Sequence, residues 1–439
     1  MSLRLTVLGT GYLGVTHAAC MAELGFEVLG MDVDAAKVAV LSRGEVPFFE
    51  PDLQPLVAKH IGTGRLRFTT SYAEVAAFGD VHFTCVGTPQ RQGELAADLT
   101  QVNSVIAGLA PHLDRACLVV GKSTVPVGTA ARLATELAKA APARAGAELA
   151  WNPEFLREGF AVADTLRPDR LVVGARSESS VAVLREVYGE QIKAGVPFLA
   201  TDYATAELVK VAANAFLATK ISFINAMAEV CEVAGADVTA LADALGHDPR
   251  IGRRFLNAGL GFGGGCLPKD IRAFMARAGE LGAAEALMFL REVDAINMRR
   301  RSRTVELARE LCAGSVVGER IAILGAAFKP DSDDVRDSPA LYVAGELQLG
   351  GALVTVYDPK AMDNARARFP TLSYADSAVA ACAGANLVLH LTEWPEFRAL
   401  DPAALAEVVG RPHVLDARNA LDADAWRAAG WTYRGFGRN

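Results

Sequence analysis

The sequence lacks several features that would place it in a special class of protein. Its seven cysteines are scattered with no CxxC pair, so neither a zinc site nor a disulfide framework is indicated. No run of about eighteen apolar residues is present to span a membrane. The net charge of −7 disfavours broad nucleic-acid binding. The odd number of lone thiols, and a start (MSLRLTVLGTG) that does not read as a secretory leader, lead us to expect a cytoplasmic protein.

What is present is the composition of a globular protein with more than one core. The chain has 439 residues, of which 51% are hydrophobic and 22% are charged. That length is too great for a single ordinary core, so two or three domains are expected. Strand-like runs at 3–8, 27–32, 81–86, 117–121 and 171–173 alternate with segments of helical spacing. This alternation predicts a parallel sheet with helices on both faces.

The middle of the chain is helical. Residues 202–234 contain neither proline nor glycine, and their apolar positions recur at helical spacing. We interpret this segment as a spine of roughly 45 Å between two lobes. From ERIAILGAAF (319–328) the strand pattern restarts and continues in runs at 351–359, 385–394 and 413–419.

The predicted fold is therefore α/β. It has two Rossmann-like doubly wound parallel-sheet domains, joined by a long central helix and a helical middle region. The predicted domains are 1–200, 201–310 and 311–439.

A glycine-rich turn follows the first strand. In GTGYLG, Gly9 allows a tight turn, Gly11 lets the backbone approach a pyrophosphate, and Gly14 lets the helix pack on the strand. Asp32 ends the second strand, where a carboxylate accepts from ribose hydroxyls and repels a 2′-phosphate. NAD is thus favoured over NADP, although Lys37 also reaches this region. The alternative is a tight turn with no ligand.

Three further segments carry polar groups. VGTP (86–89) and KSTVP (122–126) end strands, and as loops they are equally compatible with a ligand site and with simple turns. In NPEFLREG, Glu154 and Glu158 lie on one face if a helix starts there, and one of them is a candidate general base. Acids placed to suit a helix dipole are an equal alternative.

Two positions interrupt the apolar face of the long helix. Lys210 and Asn214, four apart, can donate to one developing oxyanion, or they are a snorkelling lysine and a structural asparagine. Cys266 stands in GFGGGCLPKD, just before a predicted helix and close to Lys269 and Asp270. Helix N-termini and lysines favour thiolates, so Cys266 is a candidate nucleophile, with an inert thiol in a flexible turn as the alternative.

Eight features occur in an order typical of one enzyme family. They are GTGYLG, VGTP, GKSTVPVGT, NPEFLREG, the Lys210/Asn214 helix, GFGGGCLPKD, FKPDSDDVRDSP and DARN. Over essentially its whole length the chain resembles the nucleotide-sugar 6-dehydrogenases of the UDP-glucose/GDP-mannose dehydrogenase family. RPDRLVVG (167–174) and DPRIGRRFLNAG (248–259) are most similar to members that oxidise UDP-glucose. Action on GDP-mannose or UDP-N-acetylmannosamine is the alternative, and a non-catalytic nucleotide sensor is an alternative of another class.

The resemblance implies a four-electron oxidation of a primary alcohol to a carboxylate with two NAD molecules. An aldehyde becomes a hydride donor once a thiol has added to it, and the thioester that results is hydrolysed. The implied roles are Cys266 as nucleophile, Lys210 and Asn214 as oxyanion donors, Asp270 as support for the water or the lysine, Glu154 as acid/base and Thr124 as holder of a water.

The resemblance also implies two sets of contacts and a homodimer. NAD contacts are Gly9, Gly11, Tyr12, Leu13, Gly14, Asp32, Lys37, Thr88, Thr124, Glu158, Lys269 and Arg336. Substrate contacts are Glu154, Phe155, Leu156, Glu158, Lys210, Asn214, Arg250, Asn257, Phe262, Gly263, Cys266, Phe328, Lys329 and Arg418. Arg250 would reach the neighbouring subunit's substrate in a dimer built on the long helix.

The chain departs from the family pattern at two places. Gly265 stands where relatives commonly have serine. The turn GAAF (325–328) lacks the glycine pattern of the first lobe, so no pyrophosphate cradle is expected there, and Lys329 and Arg418 would hold the substrate's phosphates by charge instead.

Overall fold

The structure of the chain, a computed structural model, describes residues 3–438. These residues form two compact units, the first running to 213 with 272–281 added, the second comprising 214–271 and everything from 282. Each unit contains one sheet whose strands alternate with helices. The predicted α/β class with two doubly wound sheets is confirmed.

The first unit contains an eight-stranded sheet in the order β3-β2-β1-β4-β5-β6-β7-β8. Its strands are parallel except that β7 runs antiparallel to β6. Its elements are β1 (Arg4–Leu8), α1 (Tyr12–Glu23), β2 (Glu27–Met31), α2 (Ala35–Ser42), α3 (Leu53–Gly62), β3 (Leu66–Thr69), α4 (Tyr72–Phe78), β4 (Val81–Thr84), α5 (Thr100–Leu109), β5 (Cys117–Gly121), α6 (Thr129–Ala140), β6 (Ala147–Trp151), α7 (Ala161–Leu166), β7 (Leu171–Ala175), α8 (Glu178–Val187), α9 (Gly189–Lys193) and β8 (Phe198–Thr201).

The long helix predicted over 202–234 is present as α10 (Tyr203–Ala234), with 32 residues. Since no proline or glycine occurs in it, nothing in the sequence interrupts its backbone ladder. By length and composition alone this one helix is apolar enough to cross a membrane, and 44% of its most apolar window is buried inside the structure. Core helices of soluble proteins meet the same criterion of length and composition.

The second unit has a six-stranded, all-parallel sheet in the order β11-β10-β9-β12-β13-β14. The elements after α10 are α11 (Val238–Gly246), α12 (Leu267–Glu280), α13 (Phe289–Leu311), β9 (Arg320–Leu324), α14 (Pro339–Leu349), β10 (Leu353–Tyr357), α15 (Met362–Arg368), β11 (Ser373–Tyr374), α16 (Ala378–Cys382), β12 (Leu387–His390), α17 (Pro395–Arg398), α18 (Pro402–Ala406), β13 (His413–Asp416), α19 (Ala423–Ala428) and β14 (Thr432–Gly435).

Central strands are short apolar runs because helices cover both faces of each sheet. All four residues of β4 and all four of β12 are buried. Such strands expose backbone groups only where they end, and in parallel sheets the carboxyl ends share one edge. The loops after β1, β4, β5 and β6 carry the polar residues singled out in the first part of the sequence, so the sheet brings those residues to one edge.

Candidate active site

The turn after β1 is shaped to receive a dinucleotide. Gly9 has φ of +90°, and a Cβ on it would lie 2.6 Å from Val86. A Cβ on Gly14 would lie 1.8 Å from the carbonyl oxygen of Gly9, so α1 packs directly on the turn. Apart from its chain neighbours and its own helix, no atom of the described chain lies within 4 Å of a Cβ built on Gly11. That opening, at the N-terminus of α1, is the place where a pyrophosphate fits.

Asp32 follows β2 and faces this turn. Its Oδ2 accepts from the backbone and hydroxyl of Thr10, both at 2.9 Å, and from Lys37 Nζ at 3.0 Å, while Oδ1 accepts from Asp34 N at 3.1 Å. Burial raises the pKa of Asp32, but these donors outweigh it and the net pKa is lowered. The carboxylate is therefore charged at neutral pH, and Oδ1 keeps acceptor capacity for a ribose hydroxyl.

The loops after β4 and β5 meet. Thr88 Oγ1 donates to the carbonyl of Thr124 at 2.8 Å. The second loop is also held from α10, because the Glu207 carboxylate accepts from Gly128 N and Ala130 N, each at 2.7 Å, at the start of α6. Burial raises the pKa of Glu207. The loops 86–89 and 122–126, for which the sequence left ligand site and simple turn equally open, are thus held together at the carboxyl edge of the sheet.

The structure contradicts the helix that was considered for NPEFLREG. Residues 152–157 form a loop, and α7 begins only at Ala161. The residue before Pro153 is biased away from helical geometry. Glu154 Oε1 then accepts from the N–H groups of Phe155 and Leu156 at 2.7 and 2.8 Å, which replaces helical bonding.

Glu154 lies in a charged environment within the first unit. Lys122 Nζ lies 3.2 Å from its Oε2. Burial raises the pKa of Glu154, but the charge of Lys122, the Leu156 N–H and the charge of Lys210 together lower it. Lys210 itself lies over the Phe155 ring at 5.4 Å. The structure thus brings Glu154, Phe155 and Lys210 together, as predicted site neighbours, and adds Lys122.

Glu158 is buried at the end of the same loop, and Glu50 anchors the segment that follows it. Glu50 accepts from Gly159 N and Ala161 N at 2.6 Å, and the hydroxyl of Tyr12 donates to it. Burial and Glu50 both raise the pKa of Tyr12, which keeps the phenol protonated as a donor. Tyr12 and Leu13 form the first turn of α1, so Glu50 ties the cofactor turn to the Glu154 loop.

In the second unit, Cys266 is exposed immediately before α12. Its carbonyl accepts the first helical bond, from Asp270 N at 3.0 Å. Gly261, Gly263 and Gly264 ahead of it are buried and Gly265 is half-buried. Gly264 has φ of +82°, and a Cβ there would lie 2.7 Å from the Phe328 ring. The thiol therefore stands on a packed turn at the N-terminus of α12.

Asp270 gathers two other predicted residues. It is 2% exposed, and its carboxylate accepts from Asn214 Nδ2 at 2.7 Å and from Lys269 Nζ at 2.5 Å. Asn214 lies 56 positions away in sequence, on α10. Since the buried carboxylate fixes the amide of Asn214, it orients the remaining donor of that side chain.

The other predicted substrate residues of the second unit fall into two groups. Arg418 bonds to the carbonyls of Leu391, Gly261 and Phe328 and so ties the glycine turn to the strand ends. Phe262 is buried and paired with Asn297 through its N–H and carbonyl, Gly263 packs on Asp337, and Lys329 lies 5.7 Å from the Phe328 ring.

The second group is exposed. Arg250 bonds to Asp248 and its side chain is 87% exposed, and Asn257 accepts from Arg253. Arg336, which was predicted as an NAD contact, is also exposed and bonds to Asp334.

Sequence reasoning missed three of these participants: Lys122, Glu50 and Glu207. Lys122 was visible in the motif GKSTVP, but only as part of a loop. Glu50 and Glu207 carried no local signal, because their partners are 109 and 79 positions away.

Comparison with known proteins agrees with this geometry. Models of the UDP-glucose/GDP-mannose dehydrogenase family match at residues 3–192 (NAD binding domain), 204–299 (central domain) and 322–423 (UDP binding domain). A UDP-glucose 6-dehydrogenase of Rhizobium meliloti is 40% identical over 99% of this chain and all of its own.

Two solved structures are similar over nearly their whole length. A UDP-glucose dehydrogenase from Pyrobaculum islandicum has a TM-score of 0.92 at 37% identity, covering 100% of this chain and 98% of its own. A UDP-D-ManNAc dehydrogenase from Pyrococcus horikoshii has a TM-score of 0.87 at 26% identity, covering 99% of both chains. The family indicated by the order of the motifs is thus confirmed, and with it an NAD binding domain and a UDP binding domain in this oxidoreductase. The chain belongs to the UDP-glucose/GDP-mannose dehydrogenase family.

Proposed function

We propose that the chain oxidises UDP-glucose to UDP-glucuronate with two NAD molecules. The observation that carries this proposal is the exposed Cys266 at the start of α12, beside a buried Asp270 that holds Asn214 and Lys269. A two-electron alcohol dehydrogenase needs no such thiol. The choice of UDP-glucose is supported by the substrate in the printed names of the relatives and by the segments 167–174 and 248–259.

The residues act in sequence on the sugar's C6. NAD, when bound, accepts one hydride in each of the two oxidations. The primary alcohol becomes an aldehyde, and the Cys266 sulfur adds to its carbon to give a thiohemiacetal, whose oxygen accepts from Lys210 and Asn214. Loss of hydride leaves a thioester. Water held by Thr124 and deprotonated by Glu154 then adds, the C–S bond breaks, and carboxylate and thiol are released.

The remaining cofactor and substrate contacts are proposed from the positions that match the family's motifs. Cofactor contacts are proposed for Gly9, Gly11, Tyr12, Leu13, Gly14, Asp32, Lys37, Thr88, Thr124, Glu158, Lys269 and Arg336. Sugar or nucleotide contacts are proposed for Glu154, Phe155, Leu156, Glu158, Lys210, Asn214, Arg250, Asn257, Phe262, Gly263, Cys266, Phe328, Lys329 and Arg418.

Counting NADH per sugar tests the reaction. With limiting UDP-glucose and excess NAD, we expect about two NADH per sugar, because a four-electron oxidation needs two hydride acceptors. A value near one would contradict the proposal.

Substitution of the nucleophile tests the thiol chemistry. Cys266→Ser should slow turnover by orders of magnitude and leave a covalent ester adduct that mass spectrometry detects. Cys117→Ser, at a half-buried thiol of β5, serves as the matched control and should keep normal activity. If Cys266→Ala still formed acid with two NADH per sugar, the covalent route would be wrong.

A related nucleotide sugar is the second candidate substrate. The observation that favours it is the similarity to the Pyrococcus horikoshii enzyme named for UDP-D-ManNAc. Comparing kcat/KM for UDP-glucose, UDP-N-acetylmannosamine and GDP-mannose decides between them, and a preference for either of the latter two would overturn the choice of UDP-glucose.

We also propose a cytoplasmic homodimer. In the second unit α10 exposes Phe216, Phe223, Val230 and Val233, mostly at seven-residue intervals that keep them on one side of the helix. A second copy of the chain would cover this stripe, and the exposed Arg250 would reach its partner's substrate. The lone thiols support a reducing compartment. Sedimentation at monomer mass would contradict the dimer.

A further inference from the structure

A buried lysine lies in the first unit and has no role in the proposed reaction. The Lys122 side chain follows β5 and is only 5% exposed. Its ammonium lies 3.2 Å from Glu154 Oε2 and donates to Asn152 Oδ1 at 3.0 Å. Removing an ammonium from water is costly unless it is paired and hydrogen-bonded. The buried charge of Lys122 therefore strongly favours a nearby, ionised Glu154 carboxylate.

The Glu154 carboxylate is fixed from two sides. Oε1 accepts from the backbone of Phe155 and Leu156, while Oε2 faces Lys122. The two backbone bonds set the distance of the side chain from its own loop. The lysine sets the rotation of the carboxylate and thus the direction of its second oxygen.

Lys122 is in turn held by the sheet. Asn152 Oδ1 accepts from both Lys122 Nζ and Tyr188 Oη, the latter at 2.6 Å, and Asn152 Nδ2 donates to the Val172 carbonyl at 2.8 Å. Val172 lies in β7. The ammonium is therefore anchored through Asn152 to the carbonyl of Val172 in β7, which fixes it as a precise positioning device requires.

We propose that Lys122 is a positioning residue for Glu154, holding its Oε2 in place and keeping it ionised as the base for the thioester-cleaving water. This inference rests on the proposed role of Glu154. Lys122 makes its contacts within the first unit and acts on the reaction through the carboxylate.

The surrounding charges set the expected pH dependence. Burial raises the pKa of Glu154 and the nearby cations lower it, so the carboxylate is ionised above its depressed pKa. Without Lys122, Lys210 is the remaining cation among the groups that lower this pKa, and the pKa rises. His17 does not replace the lost charge, because burial holds its pKa well below 6.5. The groups facing the pair are His17, Cys20, Cys85, Tyr188 and Lys210.

The experiment compares pH profiles of kcat for the full-length enzyme with saturating NAD and UDP-glucose. Lys122→Met keeps the length of the side chain and removes its charge. We expect the acid limb to move upward by about one to three pH units, as for loss of an opposite charge at this distance. Lys139→Met, at an exposed lysine of α6, is the matched control and should leave the profile unchanged. An unmoved acid limb in Lys122→Met would overturn the inference.

Glu154→Gln separates this inference from the proposed function. If Glu154→Gln retains full turnover, the role given to Glu154 is wrong and the inference falls with it. If Glu154→Gln is slow, the double variant Lys122→Met/Glu154→Gln should be no slower, because Lys122 then has nothing left to position. Additional loss in the double variant would show that Lys122 acts elsewhere. The double variant carries no lone buried charge, so it decides the matter even if Lys122→Met fails to fold.

Discussion

The two sheets of the molecule begin alike and use the same acid differently. In the first, Gly9 N donates to the carbonyl of Met31 at 2.8 Å, and in the second Gly325 N donates to that of Tyr357 at 2.8 Å. Both strand orders are the 3-2-1-4-5-6 order of doubly wound folds, with two more strands after it in the first sheet. In each sheet an aspartate follows the second strand, Asp32 in one and Asp358 in the other.

The partners of the two aspartates differ. Asp358 is 1% exposed, and its five donors are all protein groups. They are Ala326 N, Ala327 N and Trp394 Nε1 on Oδ2, and Lys360 N and Ala361 N on Oδ1. Oδ1 of Asp32 accepts from Asp34 N and keeps further acceptor capacity. Both units thus share the turn and the acid, but among the described residues Asp358 has five protein donors, two of them on Oδ1, whereas Asp32 has four, with one on Oδ1.

The largest expected effect is on stability, from Asp358→Ala. Five donors lose their acceptor inside the second unit, and each buried group left unsatisfied costs about 1–3 kcal/mol, so we expect a loss of at least about 3 kcal/mol. Tryptophan fluorescence during urea unfolding reports it, because Trp394, Trp426 and Trp431 belong to the second unit. Asp376→Ala, at a fully exposed acid, is the control. NAD affinity of the folded fraction should not change; a large loss of affinity with intact stability would break the comparison.

Asp32→Ala is expected to lower stability less than Asp358→Ala does, but to weaken cofactor binding. The bond to Lys37 is partly exposed and the two bonds to Thr10 are buried, so we expect about 1–2 kcal/mol of destabilisation. Removing the ribose acceptor should weaken NAD binding about tenfold or more and relax discrimination against NADP. Titrations with NAD and NADP measure both effects. An unchanged preference for NAD over NADP would show that Asp32 does not contact the ribose.

The smallest effect on stability is expected from Gly11→Ala. Apart from its chain neighbours and its own helix, nothing in the described structure lies within 4 Å of the added methyl, and the counterpart in the second unit, Ala327, is already alanine. We therefore expect a stability change within about 0.5 kcal/mol but weaker NAD binding, since the methyl enters the space kept for the pyrophosphate. Calorimetric titration of Gly11→Ala and of the wild-type protein with NAD compares their affinities. Wild-type affinity would show that this opening is not the site.

The sequence allowed prediction of features whose causes are local. The glycine turn, the uninterrupted α10 and the helix start after Cys266 each depend on a few neighbouring residues, and all three are present. The helix considered for NPEFLREG failed through a local rule as well, because Pro153 displaces the preceding residue from helical geometry. The tie between the Glu50 carboxylate and Gly159 could not be predicted, since it joins positions 109 apart.

The same limit applies to the reacting residues. Lys210 and Asn214 were identified by the apolar face that they interrupt, and the structure gives Asn214 its partner in Asp270. Asp358 could not be told from Asp32 in sequence, because both are acids at the end of a second strand. What separates them is Trp394, which donates to Asp358 from 36 positions away.

Gly265, just ahead of Cys266, has a consequence for loop grafting. A Cβ built on it would lie 2.4–2.6 Å from the guanidinium of Arg336, which is itself held by Asp334. Glycine at 265 and the present rotamer of Arg336 are therefore a matched pair. A chimera with a larger residue at 265 must therefore let this arginine take another rotamer, which a side chain that is 64% exposed to solvent can do.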